Sequence, residues 1–382
     1  MRVLIVPMFA LSRMGGPWSR AQAIAAAFVR AGHEAVLGVA PDGNCIAPRV
    51  SRTFEMPAPS PLGLPMVIAS RTFPLATKLG IVGRKPVGSF EEVLWLTGNL
   101  APRYVRASVE LLCDFIDREG IDAVYSEFSL PAIIAARIAG VPVFGSHSYP
   151  TQASYASAPA KAKGLRKLLG ELGLPEIDSS LELFGWLEER FVPSCPALEP
   201  FDGGVTFTGF MGEPPELGDA RRDAIVVYLG SGSVPAKAIA PAILEAFSGL
   251  GQEVFVAGSD RERTSGNVHF APRFDFRMLL PRASFFVHHG GQNSVMDALA
   301  NGAPQAIVPG RVFERIFNAE SVERTGAGIK LDMFDAASLK AAYESIQSSG
   351  SYAESALELR KQLAGLGGAD AIVSAISSRI AR

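Results

Sequence analysis

The sequence predicts an α/β protein with two domains, each a doubly wound parallel sheet of the Rossmann-like kind. Its 382 residues exceed what a single hydrophobic core usually organises. In both halves, short apolar runs alternate with segments of helical periodicity, a pattern typical of parallel sheets with crossover helices. Between the halves lies a stretch rich in proline and glycine with little periodicity, as in a linker. The predicted domains are residues 1–210 and 224–382, joined by a linker at 211–223.

The first half opens with a strand, a helix and a second strand, followed by another unit of the same kind. Gly32 ends the first helix at a position where a left-handed residue is favoured. Repeated strand–helix–strand units predict a parallel sheet with right-handed crossovers. The predicted elements are strand Val3–Val6, helix Trp18–Ala31, strand Ala35–Val39, helix Arg103–Glu119, strand 122–127, helix Pro131–Ala139, strand 141–145 and a helical stretch Pro159–Arg190.

Residues 48–100 are irregular and rich in proline, glycine and aromatic residues, with Trp95 on a predicted helix. A long apolar insertion within a compact domain is usually functional or mobile. Two interpretations stay open. The segment forms part of an apolar substrate pocket, or it is a satellite core beneath a long loop.

The second half repeats the alternation of strands and helices. Its last predicted helix, at about residues 370–380, is a candidate to pack back on the first domain. The predicted elements are strand Ala224–Leu229, helix Ala236–Ser248, strands Glu253–Ala257 and Val268–Ala271, helix Met278–Leu280, strands Ser284–Val287 and Gln305–Val308, and helices Ile316–Thr325, Ala336–Ser348, Ser355–Leu366 and Asp370–Ile380.

Composition and charge exclude several classes of protein. The net charge of −2 argues against a nucleic acid or an anionic membrane as the main partner. Cys45, Cys113 and Cys195 are few, far apart and odd in number, which predicts a reducing compartment. The chain starts with a strand-like run, and no window has the roughly 20 apolar residues of a membrane span. We therefore expect a cytoplasmic protein without a transmembrane segment.

The second half is organised around the stretch from His288 to Pro304. An apolar run, Ser284–Val287, leads through two glycines into a segment with helical spacing. This order directs backbone N–H groups and the positive end of a helix at one point, which suits a phosphate group. The glycines alone do not identify a phosphate site, because any tight strand-to-helix turn uses them.

The surrounding pattern is His289-Gly290-Gly291-x-x-Ser294-x-x-Asp297-Ala298-Leu299-x-x-Gly302-x-Pro304, followed by Pro309, Glu314, Asn318-Ala319 and Gly326-Ala327-Gly328. It resembles the donor-binding motif of glycosyltransferases of the GT-B fold, in particular the UDP-glycosyltransferase group with its bacterial natural-product members. The resemblance implies two Rossmann-like domains that face each other across a cleft. The nucleotide donor would then bind the C-terminal domain and the acceptor the N-terminal one.

The resemblance also implies roles for individual residues. His289 and Ser294 would hold the diphosphate together with the backbone N–H groups of Gly290, Gly291 and Asn293. A second glycine–serine turn would line the same diphosphate, namely Gly230-Ser231-Gly232-Ser233.

Four further residues match donor-binding positions of that family. Asp297 corresponds to the carboxylate that binds the ribose hydroxyls, and Glu314 to an acid that binds the sugar. Arg315 stands where glutamine is usual, so it either binds a sugar carboxylate or pairs with a nearby acid. Arg273 also replaces a common glutamine, in this case near the nucleobase of the donor, which leaves UDP and dTDP both open.

The largest departure from the family concerns the catalytic base. Many members use a histidine in the loop before the first helix, and Pro17 occupies that position here. Glu127 matches the partner acid and could itself be the base, with a pKa raised by desolvation. His147, also just past a strand end, is the second candidate. The third option is a protein that binds nucleotide without transferring sugar, and the last is an acceptor that needs no strong base.

The predicted function is that of an inverting glycosyltransferase of the hexosyltransferase type. It would move a sugar from a UDP- or dTDP-linked donor to an apolar small-molecule acceptor. No Asp-x-Asp motif occurs, so we expect neither a metal nor a cofactor beyond the nucleotide sugar. The alternatives are a catalytically silent nucleotide-binding partner protein and a sugar-nucleotide epimerase of similar fold. A homodimer is one option for its assembly.

Overall fold

The computed structural model describes residues 1–10, 15–41, 45, 48, 50, 52–64, 86–218, 222–230 and 234–381. These residues form two compact units. The first lies within Met1–Leu75, Gly88–Gly212 and Leu366–Arg382, and the second within Ala76–Val87 and Glu213–Gly365. No helix among the described residues is both long enough and apolar enough to cross a membrane.

A seven-stranded parallel sheet forms the centre of the first unit. Its strands are β1 (Arg2–Pro7), β2 (Glu34–Val39), β3 (Thr53–Glu55), β4 (Ala123–Glu127), β5 (Val143–Ser146), β6 (Glu189–Val192) and β7 (Thr206–Phe207). Their order across the sheet is β3-β2-β1-β4-β5-β6-β7. The central strands are buried on both faces, as a sheet covered by helices on each side requires.

The helices of the first unit follow the predicted positions except in one segment. Between Pro159 and Arg190, where a continuous helical stretch was expected, the chain forms short helices and then enters strand β6, so that prediction is wrong at its end. The α-helices are α1 (Gly15–Arg30), α2 (Phe90–Leu96), α3 (Pro102–Glu119), α4 (Leu130–Ala139), α5 (Ala153–Ala156) and α6 (Lys163–Glu171). The 3-10 helices are Pro61–Gly63, Tyr149–Thr151, Pro159–Lys161 and Ser180–Trp186.

The second unit contains another seven-stranded sheet, parallel except at one edge. Its strands are β8 (Ala224–Tyr228), β9 (Glu253–Ala257), β10 (Arg263–Ser265), β11 (Val268–Ala271), β12 (Ala283–His288), β13 (Gln305–Ile307) and β14 (Gly328–Lys330). Their order is β10-β11-β9-β8-β12-β13-β14, and β10 pairs with β11 in antiparallel fashion. The helices are α7 (Ala236–Phe247), α8 (Phe276–Leu279), α9 (Gln292–Ala300), α10 (Phe313–Arg324), α11 (Ala336–Ser348) and α12 (Ser351–Ala364), with a 3-10 turn at Leu280–Arg282.

Both sheets place the first and fourth of their parallel strands side by side. In the first unit these strands are β1 and β4, and in the second they are β8 and β12. The direction of strand succession reverses at these pairs, and ligands of open α/β sheets bind beyond the carboxyl ends of the strands at such reversals. Glu127 ends β4 and His288 ends β12. The topology therefore puts the predicted site residues of each unit at its binding edge.

The last helix, α13 (Gly368–Ile380), belongs to the first unit although it comes from the end of the chain. Its buried residues Ile372 and Ile376 pack into the same core as Phe28 of α1 and Ile5 of β1. The backbone N–H of Gly368 donates to the carbonyl of Thr208 at 2.8 Å, which fixes the start of the helix.

Candidate functional site

The turn after β12 can be made only with glycine at its centre. Gly290 has a φ of +82°, and a Cβ atom there would lie 2.8 Å from Cγ2 of Ile307 and 3.0 Å from the carbonyl oxygen of Arg315. From α10, Nδ2 of Asn318 donates to the carbonyl oxygen of Gly290 at 2.9 Å. The turn is thus held from both sides, and it leads directly into α9.

His288 is a structural residue beneath this turn. Its ring is fully buried, with Nε2 at 2.8 Å from Oε1 of Gln305, while Nδ1 accepts the backbone N–H of Gly290 at 3.1 Å. Burial lowers the pKa of His288 to about 3, against the opposing effect of Gln305. The ring is therefore neutral, and its network assigns the hydrogen to Nε2. The amide of Gly290 is engaged in this bond, which weighs against its predicted role as a diphosphate donor.

His289 lies between two glycines at the edge of the sheet. A Cβ on Gly291 would lie 2.7 Å from Nε2 of His289, and one on Gly230 would lie 3.2 Å from its ring. Tyr228 meets the ring in a T-shaped contact at 5.5 Å. Glycine at both positions is what leaves room for the imidazole.

The electrostatic surroundings keep His289 neutral. Desolvation, and then the charge of Arg315, lower the pKa of His289 to about 4, while the backbone of Tyr228 opposes the shift. That backbone contact falls short of a hydrogen bond, since the buried Nδ1 has no partner of ordinary geometry among the described residues. At neutral pH the ring has one N–H donor and one acceptor nitrogen to offer a ligand.

The start of α9 adds a helix terminus to the same corner. Gly291 is the N-cap residue in an extended conformation, and it has no side chain with which to cap the first amides. Ser294, in the first turn, is buried, and its hydroxyl makes no hydrogen bond to any residue that the structure describes. Asn293 is exposed at the helix start. The corner thus combines a positive helix end, a neutral imidazole and a hydroxyl.

Asp297 follows one helical turn after Ser294. Its carboxylate makes no hydrogen bond or ion pair within the described part of the chain. Surrounding protein atoms raise the pKa of Asp297 to about 6 by desolvation, although the residue still reaches solvent. This combination places the carboxylate on the wall of a depression, with acceptor oxygens available to a ligand.

Glu314 and Arg315 lie in the first turn of α10, beside the glycine turn. Burial lowers the pKa of the Arg315 guanidinium, against the opposing charges of Glu314 and Tyr228. Arg273 follows β11 at the same carboxyl edge of the sheet and is exposed. Ser231, Gly232 and Ser233 lie outside the described residues.

In the first unit, Glu127 belongs to a buried polar cluster made of Arg20, Tyr125, Glu127 and Ser146. The Nε atom of Arg20 donates to Oε1 of Glu127 at 2.6 Å, and the hydroxyl of Ser146 donates to Oε2. The hydroxyl of Tyr125 contacts that of Ser146 at 2.8 Å. Burial raises the pKa of Glu127, and the charge of Arg20 and the Ser146 hydrogen bond oppose this. The rise has the direction expected of a base, but both carboxylate oxygens are engaged.

His147 is also enclosed. Its ring lies 5.5 Å from the rings of both Phe184 and Phe201, and its buried Nδ1 has no hydrogen-bond partner among the described residues. Desolvation, and then the charge of Arg190, lower the pKa of His147 to about 4. The assignment of Glu127 or His147 as the base stays a prediction, and the packing around both weighs against it.

Sequence reasoning missed Arg20 and Gln305, which hold predicted residues or their neighbours in place, and named Asn318 only as part of the motif. Arg20, Gln305 and Asn318 fix Glu127, His288 and Gly290 respectively. Arg20 lies one helical turn after Pro17, and no local pattern links it to Glu127, which is 107 residues away. Gln305 is a buried polar residue in an apolar strand run, which is itself a signal. Among the described residues, no group of three or more His, Cys, Asp or Glu side chains is placed to hold a metal ion.

The sequence is similar to a protein family and to several bacterial transferases. The family described as "Erythromycin biosynthesis protein CIII-like, C-terminal domain" matches residues 242–376. The L-demethylnoviosyl transferase of Streptomyces niveus is 31% identical over 291 residues, which cover 70% of this chain and 74% of that protein. The aclacinomycin-T 2-deoxy-L-fucose transferase of Streptomyces galilaeus is 29% identical over 217 residues, 52% of this chain but only 48% of that relative's length.

Solved structures with the same fold cover almost the whole chain. The calicheamicin glycosyltransferase CalG4 matches with a TM-score of 0.71 at 19% identity, covering 100% of this chain and 98% of the other. The spinosyn rhamnosyltransferase SpnG complexed with thymidine diphosphate matches with a TM-score of 0.67 at 17% identity, covering 99% and 100%. Both likenesses concern the GT-B fold, which confirms the predicted fold class.

Proposed function

The chain belongs to the GT-B glycosyltransferases of natural-product type, and we propose that it transfers a sugar from a nucleoside-diphosphate donor to a small apolar acceptor. The observation that carries the proposal is the corner at the start of α9. There, a neutral His289 packed between two glycines precedes the helix that carries the unpartnered carboxylate of Asp297. A nucleoside diphosphate fits both residues, because its diphosphate would accept a hydrogen bond from His289 and its ribose hydroxyls would donate to Asp297.

The donor would bind with its diphosphate at the N-terminus of α9. The helix end, an N–H of His289 and the hydroxyl of Ser294 favour negative charge, and Asp297 would accept from the ribose hydroxyls. The amides of Gly291 and Asn293 and the turn from Gly230 to Ser233 stay predicted diphosphate contacts.

Glu314 and Arg315 are proposed to bind the sugar of the donor, and Arg273 is proposed to lie near its nucleobase. The donor is UDP- or dTDP-linked. Thymidine diphosphate is the nucleotide named in the SpnG complex, so it belongs in any first panel.

Transfer would occur by a single displacement with inversion and without a metal ion. The acceptor oxygen attacks the anomeric carbon while the bond to the diphosphate breaks. Negative charge then develops on the leaving diphosphate, where the helix end and the donors of the corner already point. The charge stabilisation that a bound cation provides in other enzymes would come here from the protein's own dipoles.

One observation favours a second candidate, a nucleotide-binding protein that transfers nothing. Both candidate bases of the first unit are buried, and Glu127 is paired with Arg20. A silent protein would bind nucleotide and leave every acceptor unmodified, so turnover separates the two functions.

The test is a thermal-shift panel of UDP, dTDP and their sugar conjugates, followed by donor turnover with phenolic and alcoholic acceptors. A ligand at 100 times its Kd adds about 2.7 kcal/mol to the free energy of unfolding. His289→Ala and Asp297→Asn should each lose most of that shift, whereas Asp332→Asn, an exposed carboxylate of the same unit, should keep it. Unchanged nucleotide affinity in His289→Ala would contradict the site.

A further inference from the structure

The first unit has three buried carboxylates among its described residues, and each already accepts internal hydrogen bonds. Glu91 accepts the backbone N–H of Ser180 together with two serine hydroxyls. Glu199 accepts the backbone N–H of Tyr149 at 2.6 Å. Glu127 accepts from the arginine and serine of its cluster. A carboxylate whose oxygens are engaged in this way is poorly placed to take a proton from a ligand.

The two histidines of the first unit are also poorly placed to act as a base. The sequence contains five. His33 follows α1 at the opposite end of the sheet and contacts Ser377 of α13 at 3.1 Å, and His147 is enclosed by aromatic rings. The remaining three belong to the second unit, namely His269, His288 and His289.

At the end of β4, the positive charge of Arg20 and the negative charge of Glu127 cancel. Side-chain exposure is 10% for Arg20 and 0% for Glu127, so the ion pair is shielded from solvent. Arg20 also lies over the ring of Phe128 at 5.7 Å, which holds its guanidinium in place. An unpaired carboxylate at this edge would repel an anionic ligand, whereas a neutral pair does not.

Resting on the proposed function, we propose that the acceptor reacts as an anion, its nucleophilic oxygen belonging to an acidic hydroxyl group, a phenol or a carboxylic acid, that ionises in water before binding. The bond from this oxygen to the anomeric carbon forms as the bond from that carbon to the diphosphate breaks. The electron pair leaves with the diphosphate. No proton changes hands in the step, so the step needs no base.

The acidity of the acceptor hydroxyl decides which acceptors react, because it sets the fraction of acceptor that is ionised. A general base contributes about 10²- to 10⁴-fold to such a step. A phenol with a pKa of about 10, like tyrosine, is ionised to roughly one part in a thousand at pH 7. An aliphatic alcohol, about as weak an acid as water, is ionised far less. Acceptors with more acidic hydroxyls should therefore transfer much faster.

The experiment measures kcat/KM against pH for two para-substituted phenols of matched size whose own pKa values differ by about two units. The donor is the nucleotide sugar that the thermal-shift panel selects. We expect kcat/KM to rise tenfold per pH unit up to the pKa of each phenol, so that the break in the profile moves by about two units between them.

Two results would overturn the inference. A break at the same pH for both phenols would show a base on the enzyme, and its loss in Glu127→Gln or His147→Gln would identify that base. Absence of transfer to every acceptor, with nucleotide still bound, would overturn the proposed function and the inference with it. If the inference is right, the break in Glu127→Gln still moves with the phenol, whatever the folded yield of that variant.

Discussion

Two adjacent histidines at the end of β12 have different tasks. His288 is turned into the protein and joins Gln305 to the amide of Gly290. His289 is turned to the sheet edge between two glycines. The alternation of side chains along a strand separates the two, because neighbouring residues point to opposite faces. One histidine thus supports the turn on which the other depends.

The first prediction concerns the fit of Gly290. Gly290→Ala would bring Cβ to 2.8 Å from Ile307 and force an L-residue to a φ of +82°. We expect a loss of about 1–3 kcal/mol in the free energy of unfolding from the strained backbone, with a further loss from the clash. The thermal shift with UDP or dTDP should fall as the turn is displaced.

Gly249→Ala is the matched control. Gly249 has a φ of +81° in the same unit, but no atom lies within 4 Å of a Cβ added there. It should show the backbone cost alone and keep the nucleotide shift. Equal nucleotide shifts in both variants would mean that the Gly290 turn is not part of the donor site.

The second prediction concerns acid stability. The pKa of His288 falls from 6.5 to about 3 on folding, so the unfolded chain binds a proton that the folded protein does not. Its contribution is present above pH 6.5 and is lost as the pH falls towards 3, at about 1.4 kcal/mol per pH unit. Melting temperatures between pH 7 and pH 5 should therefore fall less steeply in His288→Asn, whose amide oxygen can still accept from Gly290. A slope equal to that of the wild type would contradict a buried neutral imidazole.

At the level of elements, the sequence pattern predicted the central strands well and the edge strands poorly. β1, β4, β8 and β12 each contain a run of apolar residues, because strands buried on both faces are apolar along most of their length. β7 has two residues, and β10 is an exposed Arg-Thr-Ser. Strands so short or so polar take their conformation from a neighbouring strand, so they leave no periodicity of their own in the sequence.

The candidate site was predicted in the same uneven way. The turn and helix around Gly290 could be recognised because local backbone geometry restricts which residues fit. The engagement of Glu127 could not, since its partners Arg20 and Ser146 are separated from it by 107 and 19 residues. Whether a carboxylate is free or paired depends on contacts between distant segments, which residue type and position do not reveal.

At the scale of the whole molecule, the chain returns to its first unit at the end. Helix α13 supplies buried residues, Ile372 and Ile376 among them, to a core whose other buried members lie in the first 191 residues, with Met211 packed against it. The family match at residues 242–376 therefore includes a helix that packs with the first unit rather than the second. Sequence boundaries of a domain family and packing boundaries in the structure differ by this helix.

The third prediction tests this division of the chain. Ile372→Ala removes a fully buried side chain and should cost the first unit about 2–5 kcal/mol, while the strands of the second unit stay intact. Hydrogen exchange read by mass spectrometry should show faster uptake in peptides of β1 and α1 and unchanged uptake in those of β8 and β12. Ser374→Ala, at an exposed position of the same helix, is the control and should change neither set. Equal increases in both units would mean that α13 stabilises the molecule as one cooperative body, and the assignment of this helix to the first unit alone would then be wrong.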